Sequence, residues 1–319
     1  MAVSIQDHTG RWLSHFTRAG YPDAQPLAAG VEGAVYRLGG GMIGKVWERR
    51  RVPELLAMQG FYADVASAGV PFATPVVVAV EEVDGTAVSY ERELAGEPLQ
   101  RRLSADDRAL DPAAIDCLVA VLRALAGVAG TENMRRLAVL DEQQPFWAGA
   151  ADFSSALVAL LLRRAARFGD LLRSHVPDFD DRLGELAQRL TRLPPVAPTV
   201  LHGDLFGPNI LVDEAARPTA VLDFGFLTTA GDPRFDAAIS AAVMNMYGPH
   251  AAQITGQLTR RLADELGYPV EVLVLYRAAY AVATSNAFTS DGSDGHFAWC
   301  VAQLASPEVS DVLRRRPSP

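Results

Sequence analysis

The chain has 319 residues, of which 49% are apolar and 21% charged; this is the composition of a folded globular protein, long enough for two lobes with separate cores. Its net charge of −9 argues against a nucleic-acid partner, because contact with phosphate backbones requires a basic surface. Residues 1–10 lack the apolar core of a signal peptide, and no stretch reaches the roughly 18 apolar residues of a membrane span. A cytoplasmic protein without a membrane partner is therefore expected.

The first third of the chain predicts a small lobe rich in strands. Two runs of β-forming residues are separated by three glycines at 39–41, which predicts a hairpin. Helical spacing of apolar residues then predicts one helix inside this lobe. The predicted strands cover residues 31–38, 42–47, 76–80 (expected to be buried) and 86–91, and the predicted helices cover 10–19 and 52–68.

Beyond residue 96 the pattern becomes mainly helical. Long segments rich in Ala, Leu and Arg predict helices over 112–127, 153–175 and 179–193, and the chain is again helical from 235 to 312, before a frayed tail. Between these helical blocks lie short strand-like pieces at 199–202, 210–212 and 220–223. Cys117 and Cys300 stand alone among helical residues and are expected to be reduced, buried thiols.

The most informative segment lies between the helical blocks. Residues 202–212 read HGDLFGPNILV and residues 221–225 read VLDFG, which places Asp204, Asn209 and Asp223 in one hairpin. Phosphoryl transfer would use these residue types together, since its catalysis consists chiefly of positioning and charge neutralisation. Asp204 is suited to orient an acceptor hydroxyl and take its proton. Asn209 and Asp223 are suited to hold Mg²⁺, which prefers hard oxygen ligands.

This set of residues resembles the aminoglycoside phosphotransferase and choline kinase group of the protein-kinase-like fold. In that group a glycine, here Gly203, stands where protein kinases usually carry arginine, and this implies a small-molecule acceptor. The sequence GDPRFD at 231–236 extends the resemblance. It implies that Asp236 braces the catalytic loop and does not touch substrate. Gly225 is expected to allow the turn that presents Asp223.

The resemblance implies an α+β, bilobal fold. An N-terminal nucleotide-binding lobe with an antiparallel sheet would cover residues 1–94, and a larger, mainly helical lobe for catalysis and acceptor binding would cover 95–319. The implied cofactors are Mg²⁺ and ATP or GTP as phosphoryl donor. The partners would be the nucleoside triphosphate and a small hydroxylated acceptor, and the chain would be a monomer or a homodimer.

A kinase-like small lobe needs a strand lysine for the phosphates and an acidic residue to hold it. Lys45 is the single lysine of the chain and lies on a predicted strand. Glu54, which opens the following helix, is predicted as its partner, with Asp64 as the alternative. Gly30 and Gly33 are expected in the loop over the phosphates. The segment formed by Glu91, Arg92, Glu93 and Leu94 is expected to link the lobes and meet the purine edge with its backbone.

The acceptor site is expected in the helical lobe beside Asp204, and two kinds of surface could form it. A polycationic aminoglycoside would call for carboxylates, whereas aromatic faces suit a sugar ring, a base or an apolar scaffold. The plainer interpretations are that the acidic residues lie in a solvated loop and that the aromatic residues lie in a packed core. The acidic candidates are Asp264, Glu265, Asp291, Asp294, Glu308 and Asp311; the aromatic candidates are Phe288, His296, Phe297 and Trp299.

The sequence therefore predicts a Mg²⁺-dependent phosphotransferase that inactivates a hydroxylated antibiotic, such as an aminoglycoside, nucleoside, peptide or macrolide. A metabolic kinase for choline, homoserine, a sugar or methylthioribose is the alternative within enzymes. A catalytically silent nucleotide-binding scaffold is the alternative from another class. The presence of Asp204 argues against it, because a scaffold needs no proton acceptor.

Overall fold

The computed structural model describes residues 9–30, 32–104 and 106–315, so position 31 of the first predicted strand and most of the predicted tail lie outside the described residues. The chain divides into two compact units, Met1–Gly96 with Thr219–Leu222 and Glu97–Pro218 with Asp223–Pro319. The predicted boundary between residues 94 and 95 does not account for Thr219–Leu222, which belongs to the first unit. Thr219 holds this segment in the first unit, because its hydroxyl donates to the carbonyl of Ala95 and its own carbonyl accepts from the N–H of Ala73 at 2.9 Å.

The first unit contains the antiparallel sheet that the sequence predicts. Its five strands lie in the order β1-β2-β3-β5-β4, and every neighbouring pair is antiparallel. The predicted glycine hairpin is confirmed, since it joins β2 to β3. The strands are β1 (Gln25–Gly30), β2 (Gly33–Gly39), β3 (Met42–Trp47), β4 (Val77–Val83) and β5 (Thr86–Arg92).

The two edge strands differ from the sequence predictions. β1 is absent from those predictions, because all its residues are exposed and show no alternation of apolar and polar positions. The expectation of a buried strand at 76–80 is wrong. β4 lies at the sheet edge, and the side chains of Val76 and Val78 remain 45% and 50% exposed.

The core of the first unit forms where helix α1 (Thr9–Arg18) packs on one face of the sheet. Trp12 and Phe16 of α1 are buried together with the alternate residues of β2, among them Tyr36 and Leu38. Because neighbouring side chains in a strand point to opposite faces, β3 directs Val46 into this core and Lys45 to the other face. Helix α2 (Val52–Ser67) follows, as predicted, and packs against β4.

The second unit is mainly helical, and the three long helices predicted between residues 112 and 193 are confirmed. Helix α9 lies at its centre and is buried from Val272 to Thr284. No helix in the described part of the chain is long and apolar enough to cross a membrane. The helices are α3 (Pro112–Ala126), α4 (Glu132–Arg135), α5 (Phe153–His175), α6 (Phe179–Thr191), α7 (Pro233–Val243), α8 (Ala251–Leu266), α9 (Val270–Thr284), α10 (Gly295–Ala305) and α11 (Pro307–Arg314).

Short strands fix the ends of the segment that carries Asp204, Asn209 and Asp223. In the second unit, β7 (Thr199–Leu201) pairs antiparallel with β10 (Thr229–Gly231), with Leu201 opposite Thr229. β6 (Glu97–Pro98) pairs with β8 (Ile210–Val212). β9 (Pro218–Val221) forms a bridge from Ala220 to Ala73 within the first unit. The loop that follows β7 and the turn that precedes β10 are therefore anchored side by side.

Both cysteines are buried and free, as predicted. Burial raises the pKa of the Cys117 thiol to about 11 and that of Cys300 to about 12. Neither thiol is therefore ionised near neutral pH, and neither is poised as a nucleophile.

Candidate active site

Asp204 lies half-buried in the loop that begins directly after β7. The preceding residue, Gly203, has a φ of +75°, and a Cβ at this position would lie 2.3 Å from the carbonyl carbon of Leu227. A side chain is excluded there on both counts. The glycine that distinguishes this chain from protein kinases is thus required by the close packing of two backbones.

Asp236 on α7 holds the backbone of this loop. Its carboxylate accepts from the N–H of His202 at 2.6 Å and from the N–H of Gly203 at 2.9 Å. Burial raises the pKa of Asp236 to about 6, although both N–H donors favour its charged form. The expectation that Asp236 braces the loop is confirmed.

The imidazole of His202 is a further support of the loop. It is buried and stacks on the ring of Phe224, with 4.5 Å between ring centroids. Its Nδ1 accepts from the N–H of Asp204 at 3.2 Å. The ring therefore fixes the backbone of Asp204 itself.

Asn209 closes the loop from its other end. It is buried in a single turn of 3₁₀ helix, residues 207–209, and its Nδ2 donates to the carbonyl of Asp204 at 2.9 Å. This hydrogen bond orients the side-chain amide of Asn209. Its Oδ1 is the atom with which it can serve a cation.

Asp223 is exposed and adopts a positive φ of 44°, a conformation that Asp and Asn tolerate better than most residues. The positive φ of this turn is therefore adopted by Asp223 itself. Gly225 has a different role from the one expected. A Cβ on Gly225 would lie 2.3 Å from the Cβ of Asp204, and its N–H donates to the carbonyl of His202 at 3.0 Å. Gly225 therefore lets the segment carrying Asp223 pack directly against Asp204.

The donor set suits Mg²⁺. Across residues 9–30, 32–104 and 106–315, no group of three or more His, Cys, Asp or Glu side chains could hold a metal by itself. Asn209 and Asp223 instead offer an amide oxygen and a carboxylate. Mg²⁺ in nucleotide sites is bound through one or two carboxylates together with the phosphates of the substrate.

Lys45 lies in a polar network on the face of the sheet opposite the core. Its Nζ is 3.2 Å from Oε2 of Glu91, whose side chain is only 4% exposed. Oε1 of Glu91 accepts from the hydroxyl of Ser89, and that hydroxyl accepts from Nε1 of Trp47, both at 2.9 Å. β3 and β5 bring these residues together, because Lys45 is registered opposite Ser89.

Glu54 does not pair with Lys45. It closes the capping box of α2, accepting from the backbone N–H of Arg51 at 3.2 Å and pairing with the Arg51 guanidinium. At the start of α2 the Glu54 carboxylate is bound by Arg51 and is not available to Lys45. Glu91 lies on β5, which pairs with the strand that carries Lys45. Glu91, which the sequence analysis had assigned to the link between the lobes, therefore lies beside Lys45 in place of Glu54, and the alternative partner Asp64 stays a prediction.

Glu91→Gln should raise the KM for the nucleotide about tenfold or more, since a charged hydrogen bond that orients Lys45 is replaced by a neutral one. Steady-state kinetics with varied nucleotide would measure this. Glu54→Gln is the matched control and should leave the KM for the nucleotide unchanged, with at most a small loss of thermal stability from α2. A larger kinetic effect from Glu54→Gln than from Glu91→Gln would reverse the assignment.

The remaining residues predicted for the nucleotide lie at turns of the same sheet. Gly30 and Gly33 face each other across the β1–β2 hairpin, and a Cβ on Gly33 would overlap the carbonyl oxygen of Val46. The N–H groups of Arg92 and Glu93 donate to the carbonyls of residues 76 and 41. These two donors are thus used within the sheet, and the predicted contact of Leu94 and its neighbours with a purine stays a prediction.

The carboxylates predicted for an acceptor are mostly engaged locally. Glu265 pairs with Arg123 and Arg261, and Glu308 pairs with Arg277. Asp291 and Asp294 serve the loop before α10, and are described below; Asp264 and Asp311 lie on α8 and α11. The described structure does not gather these six side chains into one cluster.

The predicted aromatic residues separate into core and surface. Core positions are held by His296, Phe297 and Trp299, all less than 9% exposed, whereas Phe288 is 39% exposed. Sequence analysis missed Tyr247, which is 67% exposed. It also missed Phe226, which directly follows the VLDFG segment.

Comparisons with known proteins address the family and the fold of the chain. A sequence model of the phosphotransferase enzyme family matches residues 23–270. No curated protein sequence matches the chain.

Several solved structures share the fold. A GDP and kanamycin complex of the aminoglycoside phosphotransferase APH(2")-IIIa is 16% identical, with a TM-score of 0.62 over 92% of this chain and 98% of the other. The macrolide 2'-phosphotransferase MphH from Brachybacterium faecium is 17% identical, with a TM-score of 0.57 over 93% of this chain and 98% of the other. The aminoglycoside phosphotransferase APH(3'')-Id from Streptomyces rimosus, with ADP and streptomycin, is 19% identical, with a TM-score of 0.53 over 86% and 98%.

Proposed function

Because the chain belongs to the phosphotransferase enzyme family, we propose that it transfers the terminal phosphoryl group of ATP or GTP to a hydroxyl of a small molecule, most specifically a hydroxylated antibiotic. The products are a phosphomonoester, the nucleoside diphosphate and a proton. The solved structures with nucleotides and antibiotics that share this fold support the proposal.

Asp204 is assigned to the acceptor hydroxyl. Its carboxylate would accept a hydrogen bond from the hydroxyl, turn the oxygen towards the terminal phosphorus and take the proton as the new O–P bond forms. The bond from that phosphorus to the bridging oxygen of the nucleotide breaks in the same step. The position of Asp204 is well defined, because its backbone is held by His202 and by Asn209.

Asn209 and Asp223 are assigned to Mg²⁺, through Oδ1 and a carboxylate oxygen respectively. When bound, Mg²⁺ would neutralise negative charge on the phosphates and fix their orientation. Lys45 is assigned to the phosphates of the nucleotide, with Glu91 orienting its ammonium group.

The observation that carries the proposal is the double bracing of the loop at Asp204. A buried carboxylate, Asp236, binds the two N–H groups just before it, and Gly225 packs against its Cβ. A loop fixed so closely around one half-exposed carboxylate is expected where a proton acceptor must be preorganised. A nucleotide-binding scaffold would not need it.

The test is a mass-spectrometric screen. The protein would be incubated with MgATP or MgGTP and a panel of hydroxylated antibiotics, together with choline, homoserine, sugars and methylthioribose. The proposal expects one added phosphoryl group on at least one antibiotic, and addition about 10²–10⁴-fold slower with Asp204→Asn. Phosphorylation confined to a metabolite would establish the metabolic alternative, and nucleotide binding without any product would support the scaffold.

A further inference from the structure

We propose that the acceptor is a largely apolar hydroxylated molecule with at most one ammonium group, and that Phe226, Phe288 and Tyr247 form the surface on which it lies. This surface is called the aromatic platform below. The inference rests on the proposed function, because it concerns the alcohol that Asp204 would deprotonate. All three residues belong to the second unit.

The aromatic platform is continuous with the catalytic segment. Phe226 directly follows Gly225, the residue packed against Asp204. The carbonyl of Phe226 accepts from the N–H of Leu140 at 2.8 Å, which fixes its backbone. Its ring meets Phe288 edge-on, with 5.8 Å between centroids. The ring of Phe226, next to the turn at Gly225, and the ring of Phe288 are therefore in direct contact.

A layer of buried rings lies beneath Phe288. The ring of Phe288 contacts His296 at 5.1 Å, and His296 stacks on Trp299 at 5.7 Å with 21° between the planes. His296 also contacts Tyr280. Burial lowers the pKa of His296 to about 4, so this imidazole is neutral at neutral pH. The rings of His296, Trp299 and Tyr280 therefore carry no positive charge at neutral pH.

Asp204 lies close enough to this layer to act on it electrostatically. Burial raises the pKa of Tyr280 well above its usual value, and the negative charge of Asp204 raises it further. The geometric link runs through Phe226, since its neighbour Gly225 packs against Asp204 and its ring contacts Phe288. An acceptor that uses Asp204 would be expected to meet the platform.

Two members of the platform expose aromatic surface that nothing in the described structure covers. The side chain of Phe288 is 39% exposed and that of Tyr247 is 67% exposed. Tyr247 lies beside the start of α10, because a Cβ on Gly295 would be 3.9 Å from its Cε1. Exposed aromatic surface near a reactive group is typical of a site for an apolar ligand.

Two carboxylates in the loop before α10, Asp291 and Asp294, are engaged within that loop. Asp294 caps α10 by accepting from the N–H of Phe297, and its other oxygen accepts from the N–H and hydroxyl of Thr289. Asp291 accepts from the N–H of Ser293 in the same exposed loop. These oxygens are directed at the loop's own donors, whereas several ammonium groups would require carboxylates that converge on the ligand.

The experiment compares two probes at neutral pH by isothermal titration calorimetry and by phosphorylation kinetics. Erythromycin is a macrolide with several hydroxyls and one tertiary amine, and kanamycin is a polycation. Each is tested with the unaltered protein, with Phe288→Ala and with Asp291→Asn, the control for an acidic site. Hydrolysis of MgATP and MgGTP without acceptor is measured in every variant.

The expected result is tighter binding of erythromycin than of kanamycin. Phe288→Ala should weaken erythromycin binding about tenfold, since much of one aromatic contact is lost, whereas Asp291→Asn should leave it unchanged. Tighter binding of kanamycin, loss of kanamycin binding in Asp291→Asn, or no effect of Phe288→Ala would overturn the inference. Unchanged nucleotide hydrolysis in those cases would leave the proposed function standing, and absence of any nucleotide turnover would count against that function instead.

Discussion

Asp204→Asn should lower the turnover number by about 10²–10⁴-fold, the usual range for a lost acid or base group. Asparagine keeps the shape of the side chain but cannot take a proton from the acceptor. Two hydrogen bonds that hold the loop use the backbone N–H and carbonyl of Asp204, and asparagine retains both. Nucleotide affinity and melting temperature should therefore stay close to those of the unaltered protein.

Steady-state kinetics and nucleotide titration together test this prediction. A variant with reduced turnover and unchanged nucleotide affinity would match the assigned role. A parallel loss of nucleotide binding would show that Asp204 serves the nucleotide and not the hydroxyl.

Asp223→Asn should abolish most of the Mg²⁺-dependent binding of nucleotide, because the charged ligand of the cation is lost. Asparagine is the appropriate replacement, since Asp223 has a φ of 44° and Asn also tolerates this conformation. At nucleotide concentrations about 100 times the dissociation constant, MgATP should stabilise the unaltered protein by about 2.7 kcal/mol. That stabilisation should largely disappear in the variant.

Thermal unfolding with and without MgATP or MgGTP measures the difference. Asp84→Asn is a matched control, because Asp84 is another exposed aspartate with a positive φ, 47°, whose carboxylate pairs with Arg11. It should retain the full nucleotide-dependent shift. If Asp223→Asn retains the full shift as well, Asp223 is not the metal ligand.

Much of the fold could be predicted because its signals are local. The long helices show helical spacing over many residues, and α5 begins and ends where the pattern does. The predicted buried strand at 76–80 failed because an apolar run is the same for a central strand and for an edge strand. Only pairing within the sheet distinguishes them, and β4 has one neighbour.

The proximity of Asp204 and Asn209 could be predicted because the two residues are close in sequence. Asp204 and Asn209 lie in one short loop, and the structure joins them by a hydrogen bond. The partner of Lys45 could not be predicted in this way. Glu91 is 46 positions away in the chain and becomes its neighbour only through the register of β3 and β5.

The surface for the acceptor depends still more on tertiary contacts. The sequence offers both carboxylates and aromatic residues near the C-terminal end, and it does not show which of them are already engaged. Asp294 is used as a helix cap, whereas Phe288 retains exposed ring surface. Tyr247 lies far from both in sequence and is brought to the start of α10 by the packing of the helices.

The most direct test of the account is phosphorus-31 NMR of the protein mixed with MgATP or MgGTP and the acceptor panel. The account predicts that a phosphomonoester resonance grows as the γ-phosphate resonance declines, and that Asp204→Asn suppresses both changes. An unchanged γ-phosphate, inorganic phosphate as the sole product with every acceptor, or an equal rate with Asp204→Asn would contradict it.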